Sequence, residues 1–254
     1  MYGKAADQLP LYGYTFFSDL FTNRQLTALT TFTDLVAEAQ AQVEKDGGSK
    51  EYAQSVGVYL AFVVDKLADY HSAVCSWHNS KELIRNTFGR QAIPMVWDYA
   101  EANPFCNSTG SYDNMLDWII KAISLFPADG NGIAIQHDAQ TDSGLRNIII
   151  STDPPYYDNI GYADLSDFFY IWMRRSLKYD YPDLFKTMLV PKAEELTALP
   201  YRFDGGRTEA RNFFENGMLS AFKQIFTSAC EDVPVTVYYA YKQSEDDSNT
   251  ETAS

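Results

Sequence analysis

Asp153-Pro154-Pro155-Tyr156 sets a carboxylate, two proline carbonyls and an aromatic ring in four consecutive positions. Successive prolines fix φ and supply no N–H, so their carbonyls stay open to donors on a ligand. The Asp153 carboxylate and the Pro154 carbonyl could each accept one N–H of an exocyclic amino group. Such a group is a weak nucleophile because its lone pair is delocalised into the ring. Two acceptors favour a pyramidal nitrogen and concentrate that lone pair. Pro155 would hold the turn, and Tyr156 would present a ring for stacking on a base drawn out of its duplex. With a sulfonium methyl held in line, proximity supplies the remaining rate and no strong base is required. The chemistry these residue types suit is methyl transfer to an amino nitrogen.

Placing that turn is the task of the surrounding elements. The apolar run Ile148-Ile149-Ile150, ended by a breaker, predicts a buried strand of a parallel sheet, with the turn at its carboxyl end, where open α/β sheets bind ligands. Short strands are also expected over residues 133–136 and 235–241, and helices over 163–177 and 208–230. Strand alternating with helix implies βαβ units. Ahead of them the period is helical. Leu26, Leu29, Phe32, Leu35 and Val36 recur on one face, and Val56, Tyr59, Leu60, Val63, Val64 and Leu67 on another, with a glycine-containing break at 45–49. A further helix is expected over 112–126. The reading is an α/β fold: a mainly helical region over 1–130, a catalytic portion with its sheet over 131–242, and a polar, acidic tail over 243–254.

The longer run Ser151-Thr152-Asp153-Pro154-Pro155-Tyr156-Tyr157-Asp158-Asn159-Ile160-Gly161-Tyr162-Ala163-Asp164-Leu165-Ser166-Asp167-Phe168-Phe169 resembles a large family of adenine-specific DNA methylases that begin with a domain of unknown function. The similarity reaches from about Tyr12 through Tyr241. It includes Leu20-Phe21-Thr22-Asn23-Arg24-Gln25-Leu26 and the stretch from Ala92-Ile93-Pro94 to Asn103-Pro104-Phe105. The resemblance implies an S-adenosylmethionine-dependent adenine-N6 methyltransferase with a partial Rossmann-like class-I sheet behind a large helical region. Asp153, Pro154, Pro155 and Tyr156 would be its catalytic turn. It also implies that an acidic residue after the 133–136 strand contacts the adenine end of the cofactor, which selects Asp138; on spacing alone Asp138 is equally a helix N-cap or turn residue. Tyr157, Asp158 and Asn159 would shape the substrate pocket. The family's glycine-rich cofactor turn, which follows a first strand, has no counterpart here. Gly130 and Gly132 precede a strand, and Asp204-Gly205-Gly206 reads as a turn opening a helix. The expectation is a fragment of a longer enzyme, inactive in isolation.

Composition bounds these readings. In 254 residues, 46% hydrophobic content with 15% aromatic describes a folded chain. No apolar stretch reaches membrane-spanning length and no signal peptide is evident, so a cytoplasmic protein without a membrane partner is expected. Cys75, Cys106 and Cys230 lack disulfide or metal spacing. His71, Cys75 and His78 share a helical spacing but lack a fourth ligand, and no metal is expected. A net charge of −14 argues against indiscriminate phosphate binding. Residues 174–211 run the other way, with eight Lys or Arg against six Asp or Glu, and make Arg174 and Arg175 candidates for DNA contact; an ordinary solvated surface is the competing reading. A guanine-N2 methyltransferase on RNA and a non-catalytic nucleic-acid-binding module are the alternatives.

Overall fold

The structure is a computed structural model. It describes residues 1–239 except Tyr2, Ala128 and Asn159, with only the backbone of Lys4. The expectations for Asn159, for the last two residues of the 235–241 strand and for the acidic tail lie outside the described residues. The chain forms two compact units, Met1–Gly132 with Gly161–Glu195, and Ile133–Ile160 with Leu196–Ser254.

The first unit is built on helices α1 (Asn23–Lys45) and α2 (Lys50–Tyr70), which pack against each other; α3 (Tyr112–Ser124) packs on α2, and α4 (Tyr162–Leu177) on both α1 and α2. A capping box starts α1: Thr22 Oγ1 accepts the Gln25 N–H at 3.3 Å while Gln25 Oε1 accepts the Thr22 N–H at 2.8 Å. The break between the helices is made by Gly47 at φ +95°, followed by Ser49, whose hydroxyl caps α2. Ala53, Gly57 and Ala61 form a small-residue row along α2. A Cβ at Gly57 would overlap the Gln40 side chain, which lies across α2 here because position 57 has no side chain. The expected α1 face is only partly inward. Leu29 and Val36 are buried, but Leu35 is 43% exposed.

Helix α4 supplies the aromatic centre of this unit. Phe168, 1% exposed, lies within 6.5 Å, ring to ring, of Phe17, Phe21, Phe88 and Phe169. Gly161 cannot cap α4 with a side chain, and the Glu195 carboxylate does so instead by accepting the Ala163 N–H at 3.0 Å. The chain returning from α4 is tied by buried Asp167, which accepts the Val190 N–H and the Lys192 ammonium, each at 2.8 Å. A short antiparallel hairpin, β1 (Ser76–His78) with β2 (Leu83–Arg85), stands where helical periodicity had suggested no sheet. Its return is turned by Glu82 at φ +52°.

In the second unit, α5 (Gly206–Ser228) buries Ala210 and Phe214 against Ala198, with Leu196, Phe203 and Met218 around them. Strand β3 (Ser151–Thr152) pairs in parallel with β4 (Thr236–Val237), and an isolated parallel bridge joins Ile148 to Ala229. Parallel β3 and β4 thus flank α5 in sequence as a strand-helix-strand arrangement. The strand expected over residues 133–136 does not form. Ile133 is 91% and Ile135 74% exposed, with no pairing strand among the described residues to bury an apolar face. Among the described residues the sheet of this unit has two strands. No helix among them is long and apolar enough to cross a membrane.

Candidate active site

Backbone pairing carries the chain to the turn. Thr236 N–H donates to the Ile150 carbonyl at 3.1 Å and Tyr238 N–H to the Thr152 carbonyl at 2.8 Å, so β3 is held up to the residue before Asp153. At Pro154 and Pro155 the ladder stops, because neither residue has an N–H to extend it. The Tyr156 ring then folds back, and its hydroxyl donates to Asp153 Oδ1 at 2.7 Å. Among the described residues no other donor reaches the Asp153 carboxylate, which is exposed. Tyr156 is half-buried and meets Tyr239 edge to face, with centroids 5.6 Å apart.

Tyr157 adopts φ +34°, an uncommon conformation for a bulky residue. Two contacts hold it there: its carbonyl accepts the Ala198 N–H at 2.9 Å, and its ring packs edge to face on Phe214 at 5.2 Å. The turn is therefore anchored to Ala198 and to Phe214 of α5, three residues beyond Pro154. Tyr239, Ala198 and Phe214 are neighbours that sequence reasoning did not assign to the site. Tyr239 lay inside the expected strand, but no pattern in the sequence pairs it with Tyr156.

Asp138 does not stand at the end of a strand. Its Oδ1 accepts the Gln140 N–H at 2.9 Å and its carbonyl accepts the Thr141 N–H at 3.0 Å, an Asx-turn arrangement in an exposed loop. The expectation that it shares a sheet edge with Asp153 is corrected accordingly, since residues 133–136 join no sheet. No glycine-rich turn follows a strand among the described residues. Gly205 and Gly206 open α5 after a 3₁₀ turn at Pro200–Arg202, and Gly130 and Gly132 lie in exposed coil.

Arg174 and Arg175 belong to the first unit and have partners within it. Arg174 Nε donates to the carbonyls of Phe185 and Thr187, and Arg175 makes a two-pronged bond to Asp34 at 2.7 and 2.8 Å. His71 and Cys75 are also engaged, His71 with the Gly110 carbonyl and Cys75 with Ser72, Thr87 and the Asp69 carbonyl. No three His, Cys, Asp or Glu side chains among the described residues are grouped to hold an ion. Comparisons with protein-family models, with curated proteins and with solved structures found nothing that matches this chain.

Proposed function

We propose that this chain carries the substrate turn of an S-adenosylmethionine-dependent methyltransferase that modifies adenine N6 in DNA. The supporting observation is the Asp153–Tyr156 hydrogen bond just past the end of β3, which orients the carboxylate that precedes two prolines lacking an N–H. In this reading Asp153 Oδ2 and the Pro154 carbonyl accept the two amino N–H groups, Pro155 fixes the turn and Tyr156 stacks the base. Tyr157 borders the base, and Arg174 and Arg175 serve the DNA only by exchanging their present partners for phosphates. Asp138 contacts the cofactor's adenosine if a fuller pocket is supplied around it. The methyl donor enters through the family resemblance, and no step is derived from its geometry. All three cysteines are free, which suits a cytoplasmic setting.

The test is transfer of labelled methyl from S-adenosylmethionine by the polypeptide that carries this sequence in cells, offered duplex DNA, structured RNA and protein in parallel. Label on adenine N6 in DNA supports the proposal. Label on guanine N2 in RNA replaces the substrate, and no label on any acceptor favours a non-catalytic nucleic-acid-binding module.

A further inference from the structure

In the second unit, residues 196–199 form an irregular strap that is buried along most of its length: Thr197 is 1%, Ala198 3% and Leu199 1% exposed. Irregular segments ordinarily run over the surface, where water satisfies their backbone groups. A buried N–H needs a fixed acceptor instead, and the Ala198 N–H has the Tyr157 carbonyl at 2.9 Å. That bond ends on a residue at φ +34°, a conformation that a bulky side chain keeps only where its surroundings enforce it. Phe214 is the second constraint. It packs against Ala198 and meets the Tyr157 ring edge to face at 5.2 Å.

The strap is seated one helical turn further along α5. Gly217 lies buried in the middle of that helix, where glycine is a poor choice on propensity alone. A Cβ at this position would overlap the Leu196 side chain, so the missing side chain is the notch that receives Leu196. Gln140 Oε1, at 3.1 Å from the same point, is the end of a flexible side chain and can give way. Positions 214 and 217 are three apart and share a helix face. One face of α5 therefore holds the Tyr157 ring and, a turn later, the leucine that begins the strap bonded to the Tyr157 carbonyl.

We propose that Leu196 and Gly217 are positioning residues for the Asp153–Tyr156 turn. Leu196 locks into α5 at Gly217 and so sets where the Ala198 N–H stands. Ala198 and Phe214 then fix Tyr157, and Tyr157 sets the direction in which the chain leaves the turn. What the turn does rests on the methyl-transfer reading; how it is held rests on packing within one unit. Leu196 and Gly217 act on the rate through the placement of the acceptors, where a misplacement of about 1 Å costs on the order of 10².

Two readouts on Gly217→Ala, Leu196→Ala and the double variant test this. The first needs no activity: amide exchange and amide shifts in the full chain carrying nitrogen-labelled alanine and tyrosine. Gly217→Ala should speed exchange at Ala198 about tenfold or more and shift the Tyr156 and Tyr157 amides, with Ala221 of α5 much less affected. A general loss of stability would move Ala221 equally. The second is methyl transfer to duplex DNA by the polypeptide that carries this sequence in cells, where Gly217→Ala should lower kcat about 10- to 100-fold with KM for DNA within about twofold. Adding Leu196→Ala vacates the notch, so the double variant should do no worse than Leu196→Ala alone in either readout. Exchange at Ala198 that is unchanged by Gly217→Ala, or raised equally at Ala221, would overturn the proposal. So would a raised KM with kcat kept, or a double variant in which the two losses multiply. A wild-type polypeptide that transfers no methyl, while Ala198, Tyr156 and Tyr157 respond as expected, would sink the methyl-transfer reading and uphold the positioning of the turn.

Discussion

Replacing Asp153 by Ala separates chemistry from folding unusually well. The side chain is exposed, and its carboxylate has one hydrogen bond within the described residues, from Tyr156 at 2.7 Å. Loss of that bond should lower stability by only about 1 kcal/mol. Its catalytic loss should be far larger. Deleting one preorganised partner of the reacting group costs roughly 2.7–4 kcal/mol, or about 10²–10³ in turnover. Because the acceptor acts on the nitrogen as it becomes pyramidal, kcat and kcat/KM should fall together. Tyr156→Phe removes the hydroxyl that orients the carboxylate but keeps the ring, and should cost about 1 kcal/mol, roughly fivefold. Tyr156→Ala should weaken base engagement by roughly 1–3 kcal/mol and raise KM. The assay is single-turnover transfer of labelled methyl to duplex DNA by the natural polypeptide, with melting curves on every variant. Turnover of Asp153→Ala within about threefold of wild type would exclude Asp153 from the chemistry. A loss in Tyr156→Phe as large as in Asp153→Ala would make the hydroxyl, not the ring, the essential part of Tyr156.

Three further outcomes are expected. Gly57→Ala should destabilise by about 1–3 kcal/mol despite alanine's better helix propensity, because its Cβ displaces the Gln40 side chain that bonds Asp180; a raised midpoint in urea unfolding would contradict this packing of Gln40 on Gly57. On α2, burial raises the Asp65 carboxyl well above its usual pKa, and its Oδ1 has no partner among the described residues. The folded state therefore holds the proton longer than the unfolded state, and Asp65's stabilising contribution, complete below the ordinary carboxylate range, is lost as pH rises through the raised value. Asp65→Asn should gain on wild type between about pH 4 and pH 7 in denaturant titrations, and an equal difference at both ends would refute the assignment. The chain by itself should bind S-adenosylmethionine weakly or not at all, because no glycine-rich turn follows a strand among its described residues; calorimetric affinity at micromolar or better would show that another segment builds the pocket.

What could be read from the sequence was local. Apolar spacing located α1, α2, α4 and α5, because a helix of 16 to 23 residues repeats its period often enough to be unambiguous. The order of acid, two prolines and aromatic ring predicted a turn after a strand, since proline chemistry does not depend on the rest of the fold. Residues 133–136 show the limit of this reading. Four apolar-rich positions satisfy a strand pattern, yet a strand exists only where another chain segment pairs with it, and here none does. The same limit hid the site's neighbours. Tyr156 meets Tyr239 and Tyr157 meets Phe214, contacts between positions more than fifty apart. Asp138 had two readings on spacing; its hydrogen bonds place it in a turn within one loop, not at the end of a strand. Local propensity locates the helices and the turn; whether a strand forms and which side chains meet depend on long-range packing, and that is where the surroundings of the Asp153 turn are assembled.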